Sequence, residues 1–116
     1  PQTNDNIVLL DKESFIKCLK KVSSIIGRSE PIKMSFTKGK LEIEAESDIG
    51  RAKEILDIDY GGENITLNFN VRFVMDVVSH IENNTVIMSA PTTYGAVLFK
   101  EENNENYKNI VMPIRI

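Results

Sequence analysis

Two amphipathic stripes of helical spacing, each followed by segments that alternate with period two, constrain this chain more than any other feature. In the first stripe Phe15, Leu19, Val22 and Ile26 recur at three- and four-residue steps, which gathers them on one face of a helix. This spacing predicts a helix from Asp11 to Ile26. The Asp11 carboxylate is placed to accept a free first-turn N–H, and Gly27 to stop the helix. In the second, Val71, Val74, Val77, Val78 and Ile81 form a stripe from Val71 to Glu82 with Asn70 as its cap. Its valines are poor helix formers, and its periodicity outweighs them.

Most of the rest alternates as half-buried strands do. Ile32, Met34 and Phe36 alternate with Lys33, Ser35 and Thr37, and after a turn at Lys38-Gly39 the residues Leu41, Ile43 and Ala45 alternate with Glu42, Glu44 and Glu46. Leu56, Ile58 and Tyr60 form the next run, followed by Ile65, Leu67 and Phe69, then Val86 and Met88, then Tyr94 to Phe99. A short strand at Ile7 to Leu10 opens the chain, and a last one runs from about Tyr107 to Ile116. The order is strand, helix, strand, strand, strand, and then the same again, over roughly residues 6–60 and 64–116 with Gly61-Gly62 as the joint. Both apolar helix stripes must be buried against antiparallel sheets. The expected fold is therefore one α+β domain over residues 1–116 with a pseudo-two-fold βαβββ repeat, its helices together on one side. An apolar content of 41% with 27% charged residues is that of a globular chain. No apolar run approaches the roughly 20 residues that span a bilayer, and residues 1–6 lack a signal-peptide pattern. The single Cys18 excludes an internal disulfide and favours a reducing compartment. A chain that opens on Pro1 is expected to be a piece of a longer protein.

The net charge of −3 argues against general affinity for nucleic acid. Its distribution is uneven, because Lys12, Lys17, Lys20, Lys21 and Arg28 outweigh Asp11 and Glu13 over one short stretch. Lys17, Lys20 and Lys21 fall within one arc opposite the apolar stripe. Two readings stay open: a solvated amphipathic face, or a helix facing a polyanion through phosphate contacts without base readout. No aromatic residue interleaves the lysines, so stacking on single strands is not expected. Catalytic signals are thin. His80 follows Asp76 by one helical turn, a spacing more typical of a surface contact than of a dyad, and Cys18 lies beside the apolar stripe. Glu42, Glu44 and Glu46 form a solvated row rather than a metal site, and no Gly-rich phosphate loop or nucleophile elbow occurs.

Three segments together carry a resemblance. Tyr107-Lys108-Asn109-Ile110-Val111-Met112-Pro113-Ile114-Arg115-Ile116 resembles the terminus of the bacterial DNA polymerase III β subunit family, the sliding clamps. Glu54-Ile55-Leu56-Asp57-Ile58-Asp59-Tyr60-Gly61-Gly62 looks like that family's acidic-hydrophobic strand followed by Tyr-x-Gly, and Phe69-Asn70-Val71-Arg72-Phe73-Val74-Met75-Asp76-Val77 like its Phe-Asn-x-x-Tyr-hydrophobic-x-Asp motif. Order and spacing agree over essentially the whole chain, and the match is to the third of three similar domains.

The resemblance implies a non-catalytic processivity factor without cofactors, in the bacterial cytoplasm at the nucleoid, with no membrane contact. It implies two three-domain subunits closing head-to-tail as a homodimer around duplex DNA. Lys17, Lys20, Lys21 and Arg72 would face the phosphates, and Ser24, Ile25 and Ile26 would lie at the ring interface. It further implies an apolar pocket formed by Phe73, Tyr94, Ala96, Ile110, Met112, Pro113, Ile114 and Arg115. Into that pocket the polymerase III α subunit, the clamp-loader δ subunit, and other polymerases and repair proteins insert a short peptide of the Gln-Leu-x-Leu-Phe type. Phe73 stands where the family often has tyrosine, and Tyr94 is bulkier than the usual aliphatic residue. From the residues alone, Ile110, Met112 and Ile114 read equally as the core side of a terminal strand. Two competing readings are an unrelated peptide-binding module of the same architecture and a small enzyme using Asp76 and His80.

Overall fold

A computed structural model describes residues 6–24, 31–48, 50–91, 95–101 and 104–114. The elements run β1 (Asn6–Asp11), α1 (Lys12–Ser23), β2 (Pro31–Thr37), β3 (Lys40–Ser47), β4 (Gly50–Asp57), β5 (Ile65–Asn70), α2 (Val71–Ser79), β6 (Thr85–Ala90), β7 (Val97–Glu101) and β8 (Asn104–Val111). This is the βαβββ order twice over, yet neither sheet is built from one repeat. The two antiparallel four-stranded sheets have the orders β1-β6-β7-β8 and β4-β3-β2-β5. Each repeat lends its first strand to the other's sheet.

The exchange is symmetric in register. Asp11 at the end of β1 pairs with Thr85 at the start of β6, and Asn70 at the end of β5 pairs with Pro31 at the start of β2. Both strand-end residues then cap the helix that follows. Ser14 N donates to Asp11 Oδ2 at 3.0 Å, and Arg72 N donates to Asn70 Oδ1 at 2.9 Å. That backbone hydrogen bond from Ser14, which favours the carboxylate, holds the Asp11 carboxyl below its usual range, and Lys17 adds to the effect. The sheet edges are also joined in matching fashion. Leu9 and Asp59 exchange both backbone hydrogen bonds, at 3.1 and 2.9 Å, and Ile114 N donates to Asn68 O at 2.6 Å. The chain after β4 is thereby tied to the edge strand β1, and the chain after β8 to the edge strand β5.

Alternation along β2 and β3 sends Ile32, Met34, Phe36, Leu41, Ile43 and Ala45 inward, where they meet Phe15, Cys18, Leu19 and Val22 of α1. Val71, Val74, Val78 and Ile81 occupy the equivalent place over Val86, Met88, Val97 and Phe99. The helices lie side by side, start against end: Lys12 N donates to Asn84 O at 2.8 Å, and the Lys12 ammonium caps the carbonyl of Ile81 beyond the end of α2. Two glycines are required locally. Gly39 turns the β2–β3 hairpin at φ 73°, a left-handed conformation that side chains resist. At Gly62 a Cβ would lie 2.5 Å from Asn6 Oδ1 and 2.8 Å from the Tyr60 hydroxyl. Buried Asn6 is committed there, accepting from Glu63 N at 3.3 Å and donating to Ala90 O at 3.4 Å.

Several expected boundaries shift. α1 ends at Ser23 with Ser24 as its C-cap, and the expected continuation through Ile26 to Gly27 lies outside the described residues. α2 ends at Ser79; Ile81 is buried from the segment after the helix, so its burial imitated a longer stripe. β4 begins at Gly50, well before the Leu56 expected from apolar alternation, because Arg51, Lys53 and Ile55 all point to solvent on an edge strand. β8 stops at Val111, ahead of Pro113, which has no N–H to continue a ladder.

Candidate functional site

The last strand decides which side its alternating apolar residues take. Val111 and Pro113 point inward and are buried, so Ile110, Met112 and Ile114 face out at 64, 52 and 37% exposure. The reading of these three as core residues therefore fails. Across from them stands Phe73 of α2, 57% exposed although it directly precedes the buried Val74. Helical geometry explains this, since Val71, Val74 and Val78 take the core-facing arc and leave Phe73 on the flank. Phe73, Asp76 and Val77 form one wall of an open cleft of about 330 Å³, and Ile110, Val111 and Met112 form the other.

Of the pocket residues expected from sequence, Phe73, Ile110 and Met112 thus meet. Pro113 is buried beneath them, and Ile114 anchors the tail to β5 through its N–H. Ala96 is half-buried in the segment before β7 and does not line the cleft. Tyr94 and Arg115 lie outside the described residues. Asp76, Val77 and Val111 are additions to the expected pocket.

The basic face is also present. Lys17, Lys20 and Lys21 are exposed along α1, and Arg72 is exposed at the start of α2. Lys21 is engaged, its Nζ lying 3.8 Å from Glu54 Oε1 on β4. Arg72 and Ser23 share a second groove with Val71, Met75 and Asp76 where α1 ends beside the start of α2. Ser24 is exposed, its hydroxyl donating to Lys21 O at 2.7 Å, whereas Ile25 and Ile26 lie outside the described residues. An apolar side chain the sequence reading passed over is Ile55, 60% exposed on the edge strand β4. It occupies in the first repeat the place that Ile110 holds in the second, a correspondence visible only once the strands are aligned.

The remaining candidates resolve into structural roles. His80 Nδ1 lies 2.6 Å from the backbone carbonyl of Asp76, and the residue caps the end of α2, so no imidazole–carboxylate dyad forms. Cys18 is buried, and desolvation, with Glu54 nearby, pushes its thiol up. Glu42, Glu44 and Glu46 each meet a cation on a neighbouring strand: Lys53 at 3.3 Å, Lys33 at 3.8 Å and Arg51 at 2.7 Å. The row read from sequence as solvated is an ion-pair ladder across the sheet. Among the described residues no group of three or more His, Cys, Asp or Glu is placed to hold a metal ion, and no helix is long and apolar enough to cross a membrane.

A strand-exchanged pair of βαβββ units, with helices on one side and an apolar cleft at the C-terminal strand, defines the class of sliding-clamp domains. Residues 1–115 match the family described as DNA polymerase III beta subunit, C-terminal domain, and the chain belongs to that family. The β sliding clamp of Streptomyces coelicolor is 28% identical over 123 residues, covering 100% of this chain and 33% of that protein. The Caulobacter vibrioides β sliding clamp is 25% identical over 118 residues, with 100 and 32% coverage. The DNA polymerase III β subunit structure from Thermotoga maritima superposes at TM-score 0.94 with 26% identity, covering 100% of this chain and 32% of that one. The Pseudomonas aeruginosa clamp, at 24% identity and TM-score 0.94, shares the fold over the same extent. The chain spans about a third of the length of these relatives.

Proposed function

We propose that this chain is the third domain of a three-domain bacterial sliding clamp, a non-catalytic ring of the cytoplasm that tethers polymerases to duplex DNA. The observation that carries the reading is the cleft between Phe73 and Val77 on α2 and Ile110 and Met112 on β8. An exposed cleft lined by large apolar side chains marks a binding site. Its walls are a helix and a strand tail whose N–H is fixed to β5, so little ordering is needed when a ligand enters. The occupant is a short peptide with apolar anchors, presented by the polymerase α subunit, the loader δ subunit and repair proteins.

The basic arc of α1, with Arg72, supplies loose phosphate contacts inside the ring. Exposed lysines on long stems suit a surface that must hold DNA without gripping one sequence. Ring closure by a head-to-tail homodimer would use Ser24, Ile25 and Ile26 together with the edge of β4, where Ile55 is the outward apolar residue. A strand edge of this kind, unpaired among the described residues, is suited to pairing with another domain.

Titration of a fluorescent Gln-Leu-x-Leu-Phe peptide into the isolated domain tests the reading. Saturable binding, displaced by unlabelled peptide and tighter in the full-length protein, is expected. Absence of binding to both proteins would refute it.

A further inference from the structure

The cleft is apolar except at one point. Asp76 stands in its helical wall between Phe73 and Val77, and the same residue borders the neighbouring groove that holds Arg72. Asp76 is exposed, and its contacts to Ser79 and His80 run through its backbone carbonyl. Among the described residues no side chain makes an ion pair or hydrogen bond with its carboxylate. Even Arg72, one turn earlier on the same helix, is not paired with it. Glu46 and Asp57, exposed on the β2–β5 sheet, by contrast each hold a cation partner, Arg51 and Lys40. A carboxylate at the rim of an apolar cleft is costly to cover with apolar surface and favourable to cover with a cation.

On the reading of the cleft as a peptide site, we propose that Asp76 is a specificity-determining residue. It selects peptides that carry a lysine or arginine beside their apolar anchors, and it disfavours those with an acidic residue there. The anchors supply affinity through Phe73, Ile110 and Met112. Asp76 sorts among anchored peptides by charge. An exposed pair of this kind supports roughly a two- to fivefold preference, which salt weakens.

The test uses three peptides with identical anchors, one with uncharged flanks, one with a lysine on each side and one with a glutamate on each side. Each is titrated into the domain and into Asp76→Asn at low and at high ionic strength. The wild type is expected to bind the lysine peptide about threefold or more tighter than the glutamate peptide at low salt, with the ratio shrinking at high salt. In Asp76→Asn the ratio should fall towards one. An equal ratio in the two proteins overturns the role of Asp76. Failure of the uncharged peptide to bind the wild type instead overturns the docking reading on which this inference rests, so the two failures are distinguishable.

Discussion

Cutting Met112 and Phe73 back to alanine is the perturbation that separates a binding cleft from exposed apolar side chains of no consequence. Met112 is 52% exposed and Phe73 57% exposed, so about half of each side chain remains for a ligand to cover. Full burial of a methionine or phenylalanine side chain stabilises by about 1.5–3 kcal/mol, so covering the remaining half contributes about 1 kcal/mol at each position. At about 1.4 kcal/mol per tenfold, either single truncation should weaken peptide binding roughly fivefold. The two residues face each other across one cleft, so their effects need not add, and the double variant should lose between about ten- and thirtyfold. Neither change opens a cavity in the core, and thermal unfolding should move little. Ile7→Ala provides the control: this residue is 44% exposed on β1, at the opposite edge of the sheet from β8. Fluorescence anisotropy with the labelled peptide gives the dissociation constants of the wild type, the two single variants, the double variant and the control. Equal affinity of the wild type and the double variant, or an equal loss in Ile7→Ala, would refute the placement of the site.

Replacing Lys17 and Lys20 by glutamate in the full-length protein should reduce DNA retention, with the defect growing as ionic strength falls, because the new charges repel phosphates over a longer screening length. A DNA-retention assay across a salt series that shows no difference at low salt would exclude the basic face from DNA contact. Gly62→Ala should lower the midpoint of thermal unfolding by roughly 4–12 °C, since it disrupts buried Asn6 hydrogen bonds for about 1–3 kcal/mol in a domain of this size. Gly61→Ala, where a Cβ meets nothing within 4 Å, should be near neutral by the same measurement.

How much was legible in the sequence depended on whether one face of an element was buried and the other wet. β2 and β3 meet that condition, and Ile32 to Ala45 could be read residue by residue. β4 does not: as an edge strand it turns Arg51, Lys53 and Ile55 to solvent and only half-buries Ala52 and Glu54, which leaves no apolar alternation to read. Exchange of β1 and β5 between sheets was invisible because a strand's pattern fixes its buried face but not its partner. The same limit applied to the tail. Alternation put Ile110, Met112 and Ile114 on one side, and only the inward placement of Val111 and Pro113 shows that this side is the wet one. Val77 was assigned to a core stripe and Asp76 to a surface contact with His80, since a helical period cannot distinguish the flank of a stripe from a cleft wall. Capping was readable in advance at both helices, because Asp11 and Asn70 act on N–H groups only two or three residues away.

The central claim is that this domain belongs to a ring that holds DNA by encircling it, with its basic helix face meeting phosphates only loosely. The most direct measurement loads the full-length protein onto a nicked circular duplex and passes the complex over a sizing column before and after the circle is cut once. The account predicts that the protein stays with the circle in moderate salt and is lost when the DNA is linearised, because free ends let a ring slide off. Retention that is the same on circular and linear DNA, and that falls with salt in both alike, would show ordinary electrostatic binding and contradict the account.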